Sequence, residues 1–130
     1  MTRLRTFLVE DCPVTRDHIA DMLEANANAR VIGWASTETE ASNWLAKNKT
    51  DWDLLVIDLF LAEGSGMNVL KASSRRPSQQ AIVISNYLTI AVKARCYSMG
   101  ADGVFDKSTE IDEFVNFARK VGSTNVEYSR

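Results

Sequence analysis

Short apolar runs of strand length alternate with longer amphipathic runs along the whole chain, and no other feature limits the fold as strongly. Thr6-Phe7-Leu8-Val9 is the first such run, and it ends in the acidic pair Glu10-Asp11. Cys12-Pro13 opens a helix, because proline is accommodated in a first helical turn. Ile19, Met22 and Leu23 give that helix an apolar stripe. Val31-Ile32-Gly33-Trp34-Ala35 reads as a second strand. Ser36 and Thr37 are cap candidates for a helix through about Lys47, with Ala41, Trp44 and Leu45 inward. Leu54-Leu55-Val56-Ile57, ending at Asp58, is the most uniformly apolar run, which suits a central strand buried on both faces. A loop through Gly64-Ser65-Gly66 leads to a helix from about Met67 to Ser74, and Pro77 closes that unit. Ala81-Ile82-Val83-Ile84 ends at Ser85, and a helix from Thr89 to Met99 follows, stopped by Gly100. Gly103-Val104-Phe105 ends at Asp106-Lys107, and Ser108 or Thr109 is the expected cap of a last helix with Ile111, Phe114, Val115 and Ala118 on one face.

These are five βα units in succession. The alternation requires right-handed crossovers and a parallel sheet covered by helices on both faces, a single doubly wound α/β domain. The chain's 130 residues suit one hydrophobic core. Its net charge of −2 offers no basic footprint for nucleic acid, and no helix carries a basic face. No apolar run approaches the length of a membrane span, and Met1-Thr2-Arg3-Leu4-Arg5 lacks a signal-peptide layout. Cys12 and Cys96 form no metal spacing, so both are expected reduced, in the cytoplasm.

In sheets of this kind ligands bind beyond the carboxyl ends of the strands, near the point where strand order reverses. The residues expected there are Glu10, Asp11, Asp58, Ser85 and Lys107. Each alone is an ordinary solvated loop residue; all five at corresponding ends make a constellation. Three carboxylates crowded together repel one another unless positive charge sits among them. One lysine cannot neutralise three, whereas a hard divalent cation such as Mg²⁺ suits an all-oxygen cluster. Such a site, with an ammonium and a hydroxyl beside it, is built to receive a phosphoryl group. One carboxylate could serve as the nucleophile.

Leu8-Val9-Glu10-Asp11-Cys12-Pro13, Leu55-Val56-Ile57-Asp58-Leu59, Ile82-Val83-Ile84-Ser85-Asn86 and Gly100-Ala101-Asp102-Gly103-Val104-Phe105-Asp106-Lys107, in this order and spacing, resemble the receiver domain of bacterial two-component response regulators. The resemblance covers nearly the whole chain and implies a flavodoxin-like (βα)5 fold with strand order 2-1-3-4-5. A receiver is expected over residues 1–123 and a short tail at 124–130 with no effector domain after it, either as a single-domain regulator acting by contact or as the receiver part of a longer protein. Asp58 would be the phosphoacceptor, charged by a sensor histidine kinase, a phosphotransfer protein or a small phosphodonor. Asp11 would bind Mg²⁺ directly, Glu10 through a water, with Asp58 and the backbone carbonyl of Phe60 completing the protein ligands. Lys107 would pair with the phosphoryl oxygens, and Ser85 would be the switch hydroxyl that carries the change to a downstream protein effector.

The chain departs from the family pattern in several places. Glu10 replaces the commoner aspartate, and Ala62 stands where many members carry proline. Ser108 follows Lys107 where most have proline, often behind a cis bond; before serine a cis bond costs about 3 kcal/mol. Val104 occupies the place of a switching Tyr or Phe, and Phe105 points to the opposite face of its strand, so either Tyr87 takes over the coupling or the output is read differently. Phe60 is bulky for its position and is expected to shield the aspartyl phosphate from water.

His18, alone in a first helix, is expected at the surface, and Trp34, Trp44 and Trp52 in the core or at its edge. Phe114 and Phe117 cannot both face fully inward; one exposed ring is the simpler reading, and a docking or homodimer surface on the last helix the sharper one. A flavodoxin-type cofactor site needs a Ser/Thr-rich first loop, and a dinucleotide fold needs GxGxxG there; this loop is acidic. A haloacid-dehalogenase-type phosphatase needs a second aspartate where Phe60 stands. The remaining alternative is a receiver-like module acting by protein contact without phosphate.

Overall fold

The computed structural model describes residues 3–128. Along the chain come β1 (Leu4–Val9), α1 (Pro13–Asn26), β2 (Ala29–Ala35), α2 (Glu38–Lys47), β3 (Leu54–Asp58), α3 (Gly66–Ala72), β4 (Gln80–Ser85), α4 (Ile90–Ser98), β5 (Gly103–Asp106) and α5 (Ile111–Tyr128). The sheet is parallel throughout, in the order β2-β1-β3-β4-β5. The expected doubly wound architecture is therefore present.

Side-chain alternation divides the core into two layers. Phe7, Val9, Leu55, Ile57, Ala81, Val83 and Val104 face α2, α3 and α4. Leu4, Leu8, Leu54, Val56, Ile82 and Ile84 face α1 and α5, where Ile19, Leu23, Phe114 and Ala118 meet them. This is the period-two arrangement of a strand covered on both sides. Every residue of the central strand β3 is buried. Val104 and Phe105 lie in opposite layers, as the alternation requires.

Local chemistry sets the helix starts. Thr37 caps α2 by accepting from the Glu40 backbone N–H at 3.1 Å, while the Glu40 carboxylate accepts from the Ser36 N–H at 3.0 Å. Thr89 caps α4 by accepting from the Val92 N–H. Gly100, at φ +107°, ends the turn after α4, a conformation that favours glycine.

The structure corrects the sequence reading at several points. Strands β1 and β2 begin at Leu4 and Ala29, earlier than their apolar runs, because their first residues still pair, Leu4 opposite Ala29. Neither Ser108 nor Thr109 caps the last helix: both donate backbone N–H groups to the Asp106 carboxylate, at 2.7 and 3.1 Å, and α5 begins at Ile111. Helix α5 continues to Tyr128 rather than yielding to a tail at residue 124; residues 1–2 and 129–130 lie outside the described region. Trp34 is not a core residue but 53% exposed, with the Arg16 guanidinium 3.5 Å above its ring. Trp52 is fully buried, and Trp44 stacks on Phe7 at 3.9 Å, both as expected. His18 is exposed. Phe114 is buried, whereas Phe117 is half-buried with its ring 5.7 Å from that of Phe105, so it is not a free exposed ring. Among the described residues no helix is long and apolar enough to cross a membrane.

Candidate phosphoacceptor site

Strand order reverses between β1 and β3, since β1 has β2 on one side and β3 on the other. The crevice at their carboxyl ends is where such sheets take ligands. Glu10 and Asp11 come directly after β1, and Asp58 is the last residue of β3. Asp58 pairs in register with Ile84, which puts Ser85 one step further along β4; Ser85 in turn pairs with Asp106, which puts Lys107 one step beyond β5. Parallel register thus assembles residues from four separate strands.

One carboxylate oxygen from each of Glu10, Asp11 and Asp58 lies within 4.8 Å of the other two. Glu10 and Asp58 are buried, Asp11 half-buried. The Lys107 ammonium reaches in to donate to Glu10 Oε1 at 2.5 Å and to Asp58 Oδ2 at 2.9 Å. Burial works to lower the pKa of Lys107 and is the largest single influence, yet the hydrogen bonds to Glu10 and Asp58 and their charges outweigh it, so the pKa stands above the ordinary value. One ammonium against three carboxylates leaves the pocket negative. Asp11 has no share in the lysine's hydrogen bonds, and an all-oxygen cluster of this spacing fits a hard divalent cation.

The other oxygen of Asp58, Oδ1, accepts from the Phe60 backbone N–H at 3.2 Å, which ties the carboxylate to the start of its own loop. Ser85 is fully buried, and its Oγ accepts from the Tyr87 N–H at 3.3 Å. Its carbonyl accepts from the Lys107 N–H at 3.1 Å, so the switch candidate and the lysine share a backbone link. The Lys107-Ser108 bond is trans. The Ser108 hydroxyl donates to Asn86 Oδ1 at 3.2 Å, joining the loops after β4 and β5.

Two exposed rings stand over this end of the sheet. Phe60 and Tyr87 are 55% and 74% exposed and meet edge to face at 5.8 Å. The sequence marks each of them singly, but not their contact. It also does not mark Glu38, which organises the loop after β3 from a distance, because its partners Ser65 and Asn68 lie on another segment.

A domain with this topology and an acidic, lysine-bridged crevice at the switch point belongs to the class of phosphoacceptor signalling domains. The family model described as response regulator receiver domain matches residues 6–119, and the chain is a member of that family. It is 26% identical over 121 residues to a protein named DNA-binding transcriptional activator DevR/DosR, from Mycobacterium tuberculosis, covering 92% of this chain and 55% of that protein. It is 27% identical over 128 residues to the nitrate/nitrite response regulator protein homolog of Haemophilus influenzae, covering 95% of this chain and 59% of that one. The chain therefore spans little more than half the length of these relatives. Among solved structures, the receiver domain of the response regulator AraT from Geobacillus stearothermophilus aligns with a TM-score of 0.81 at 19% identity, over 99% of this chain and 100% of that one. The response regulator domain of Thermotoga maritima CheB aligns with a TM-score of 0.80 at 18% identity, over 94% and 98%. Receiver domains are signalling domains rather than conventional enzymes; they work with histidine kinases and effectors and bind Mg²⁺ at an acidic pocket, and this chain has an acidic cluster of Glu10, Asp11 and Asp58.

Proposed function

We propose that Asp58 is the phosphoacceptor of this receiver and that Glu10, Asp11 and the Phe60 carbonyl, with Asp58 itself, hold the Mg²⁺ its reaction requires. The observation that carries this reading is the Lys107 ammonium bridging Glu10 and Asp58 inside a three-carboxylate cluster. An Asp58 oxygen attacks the phosphorus of a phosphohistidine on a kinase or phosphotransfer protein. The P–N bond breaks, a P–O bond forms, and the departing imidazole nitrogen takes up a proton. Lys107 pairs with the phosphoryl oxygens as a compact point charge. The Ser85 hydroxyl turns from its bond with the Tyr87 N–H to donate to the phosphoryl group, which shifts the loop after β4. Bound Mg²⁺ supplies further positive charge against the phosphoryl oxygens.

That loop shift carries the signal to a protein effector. Val104 is buried and has no ring to swing, whereas Tyr87 is exposed and lies two residues from Ser85, which makes it the coupling residue. The net charge of −2 favours a protein partner over direct contact of this segment with DNA. Phe60, with Tyr87 at its edge, limits the approach of water to the aspartyl phosphate.

The test is intact mass after incubation with acetyl phosphate, with and without Mg²⁺, beside Asp58→Ala. The expected result is a gain of one phosphoryl group that needs both Mg²⁺ and Asp58. No gain, together with no beryllofluoride-induced rise in melting temperature, overturns phosphotransfer in favour of a domain acting by contact alone.

A further inference from the structure

The loop after Asp58 is held from outside by the first residue of α2. Its two ends meet in an antiparallel bridge between Phe60 and Ser65, and the Gly66 N–H donates to the Leu59 carbonyl at 3.0 Å. Its tip does not close on itself. The Glu38 N–H donates to the Glu63 carbonyl at 3.0 Å, and Glu38 Oε1 accepts from the Ser65 N–H at 2.9 Å and from Asn68 Nδ2 at 3.1 Å. Gly64 adopts φ +80° with Glu38 packed so closely that a Cβ there would stand 2.6 Å from Glu38 Oε1. The neighbouring Thr39 hydroxyl donates to Glu63 Oε1 at 3.3 Å. Glu38 thus holds the loop by two groups: its backbone N–H fixes Glu63, and its half-buried carboxylate, with no cation among its hydrogen-bond partners, fixes Ser65 and, in the first turn of α3, Asn68.

We infer that Glu38 is a positioning residue for the acceptor loop, setting where the Phe60 carbonyl and ring stand relative to Asp58 and so tuning Mg²⁺ affinity. This rests on the assignment of the Phe60 carbonyl as a metal ligand. Ser65 is the residue through which the clamp acts: its N–H is fixed by Glu38, and it is the bridge partner of Phe60. Supporting groups of this kind typically change metal affinity tenfold or more when removed, although they touch no metal.

The experiment is calorimetric titration of the purified chain with Mg²⁺ alone, for wild type, Glu38→Ala and Glu38→Gln, with melting temperatures of the metal-free proteins recorded alongside. Glu38→Ala is expected to weaken Mg²⁺ binding about tenfold. Glu38→Gln keeps an oxygen that accepts from both Ser65 and Asn68, and is expected to bind Mg²⁺ within about twofold of wild type. A Glu38→Ala protein that melts lower but binds Mg²⁺ as wild type does would show a merely structural clamp and overturn the inference while leaving the phosphoacceptor assignment intact. Failure of Glu38→Gln to restore affinity would overturn it too, because the acceptor geometry would then not be what matters. If wild type itself takes up no Mg²⁺, the underlying metal assignment fails and the inference falls with it.

Discussion

Gly66→Ala adds one methyl group at the place where α3 comes closest to the acceptor strand. A Cβ on Gly66 would fall inside the van der Waals surface of the Asp58 carbonyl oxygen and stand 2.8 Å from both the Asp58 carbonyl carbon and Ile57 Cγ2. None of these atoms can swing aside as the end of a flexible side chain would, because Ile57 and Asp58 are buried in a strand paired on both sides. Either α3 must move outward or the end of β3 must bend. Forced overpacking of this type costs about 3 kcal/mol. For a chain of 130 residues each kcal/mol shifts the melting temperature by about 4 °C, so the expected loss is about 12 °C. The control is Gly122→Ala, in the interior of α5, where the added Cβ would meet only the Ala27 carbonyl at an ordinary 3.6 Å. There alanine is expected to gain up to about 1 kcal/mol through helix propensity. Thermal melts of the two variants in EDTA give the comparison, and phosphorylation from acetyl phosphate reports whether Asp58 has moved. A Gly66→Ala protein melting within about 2 °C of wild type, or no more destabilised than Gly122→Ala, would refute the claim that this approach leaves no room.

Lys107→Met leaves two buried carboxylates without their ammonium and is expected to cost about 3 kcal/mol in metal-free protein. Because the folded-state pKa of Lys107 is raised, its contribution is complete below about pH 10, the unfolded value, and is lost as pH rises through the folded value. The gap in melting temperature between wild type and the variant should therefore be constant from pH 8 to pH 10 and shrink above it; a gap still undiminished at pH 12 would contradict the pairing. Phe60→Asn is expected to shorten the aspartyl phosphate half-life about tenfold, equivalent to about 1.4 kcal/mol of barrier, as followed by loss of the phosphorylated mass; an unchanged half-life would remove the shielding role. Trp34→Ala should cost no more than about 1 kcal/mol, because only a surface contact with Arg16 is lost, whereas Trp52→Ala should cost about 4 kcal/mol in urea denaturation; equal costs would place Trp34 in the core after all.

The fold is legible in the sequence because β1, β3 and β4 are buried on both faces and so carry the apolar runs Phe7-Leu8-Val9, Leu54-Leu55-Val56-Ile57 and Ala81-Ile82-Val83-Ile84, while the helices between them keep a 3.6-residue stripe. The site is legible for a related reason. Parallel strands put their carboxyl ends on one edge, so Glu10, Asp11, Asp58, Ser85 and Lys107 can be gathered simply as the residues at the ends of the apolar runs. What escapes is decided between segments. Trp34 lies on an edge strand, and only the structure shows that Arg16 of α1 covers it with a guanidinium rather than with apolar side chains. Ser108 and Thr109 carry good cap chemistry, yet the Asp106 carboxylate takes their N–H groups into a turn before the helix begins. Glu38 looks like an ordinary first-turn acid until α2 is seen against the loop after β3, 27 residues away along the chain at Ser65.

Reductive trapping tests the central claim most directly. Wild-type protein phosphorylated in the presence of Mg²⁺ is treated with borohydride, which reduces an acyl phosphate to an alcohol, and its peptides are then sequenced by mass spectrometry. The account predicts homoserine at position 58 and unmodified side chains at Glu10 and Asp11. Reduction at Glu10 or Asp11, or phosphate retained on a serine, threonine or His18 instead, would contradict it.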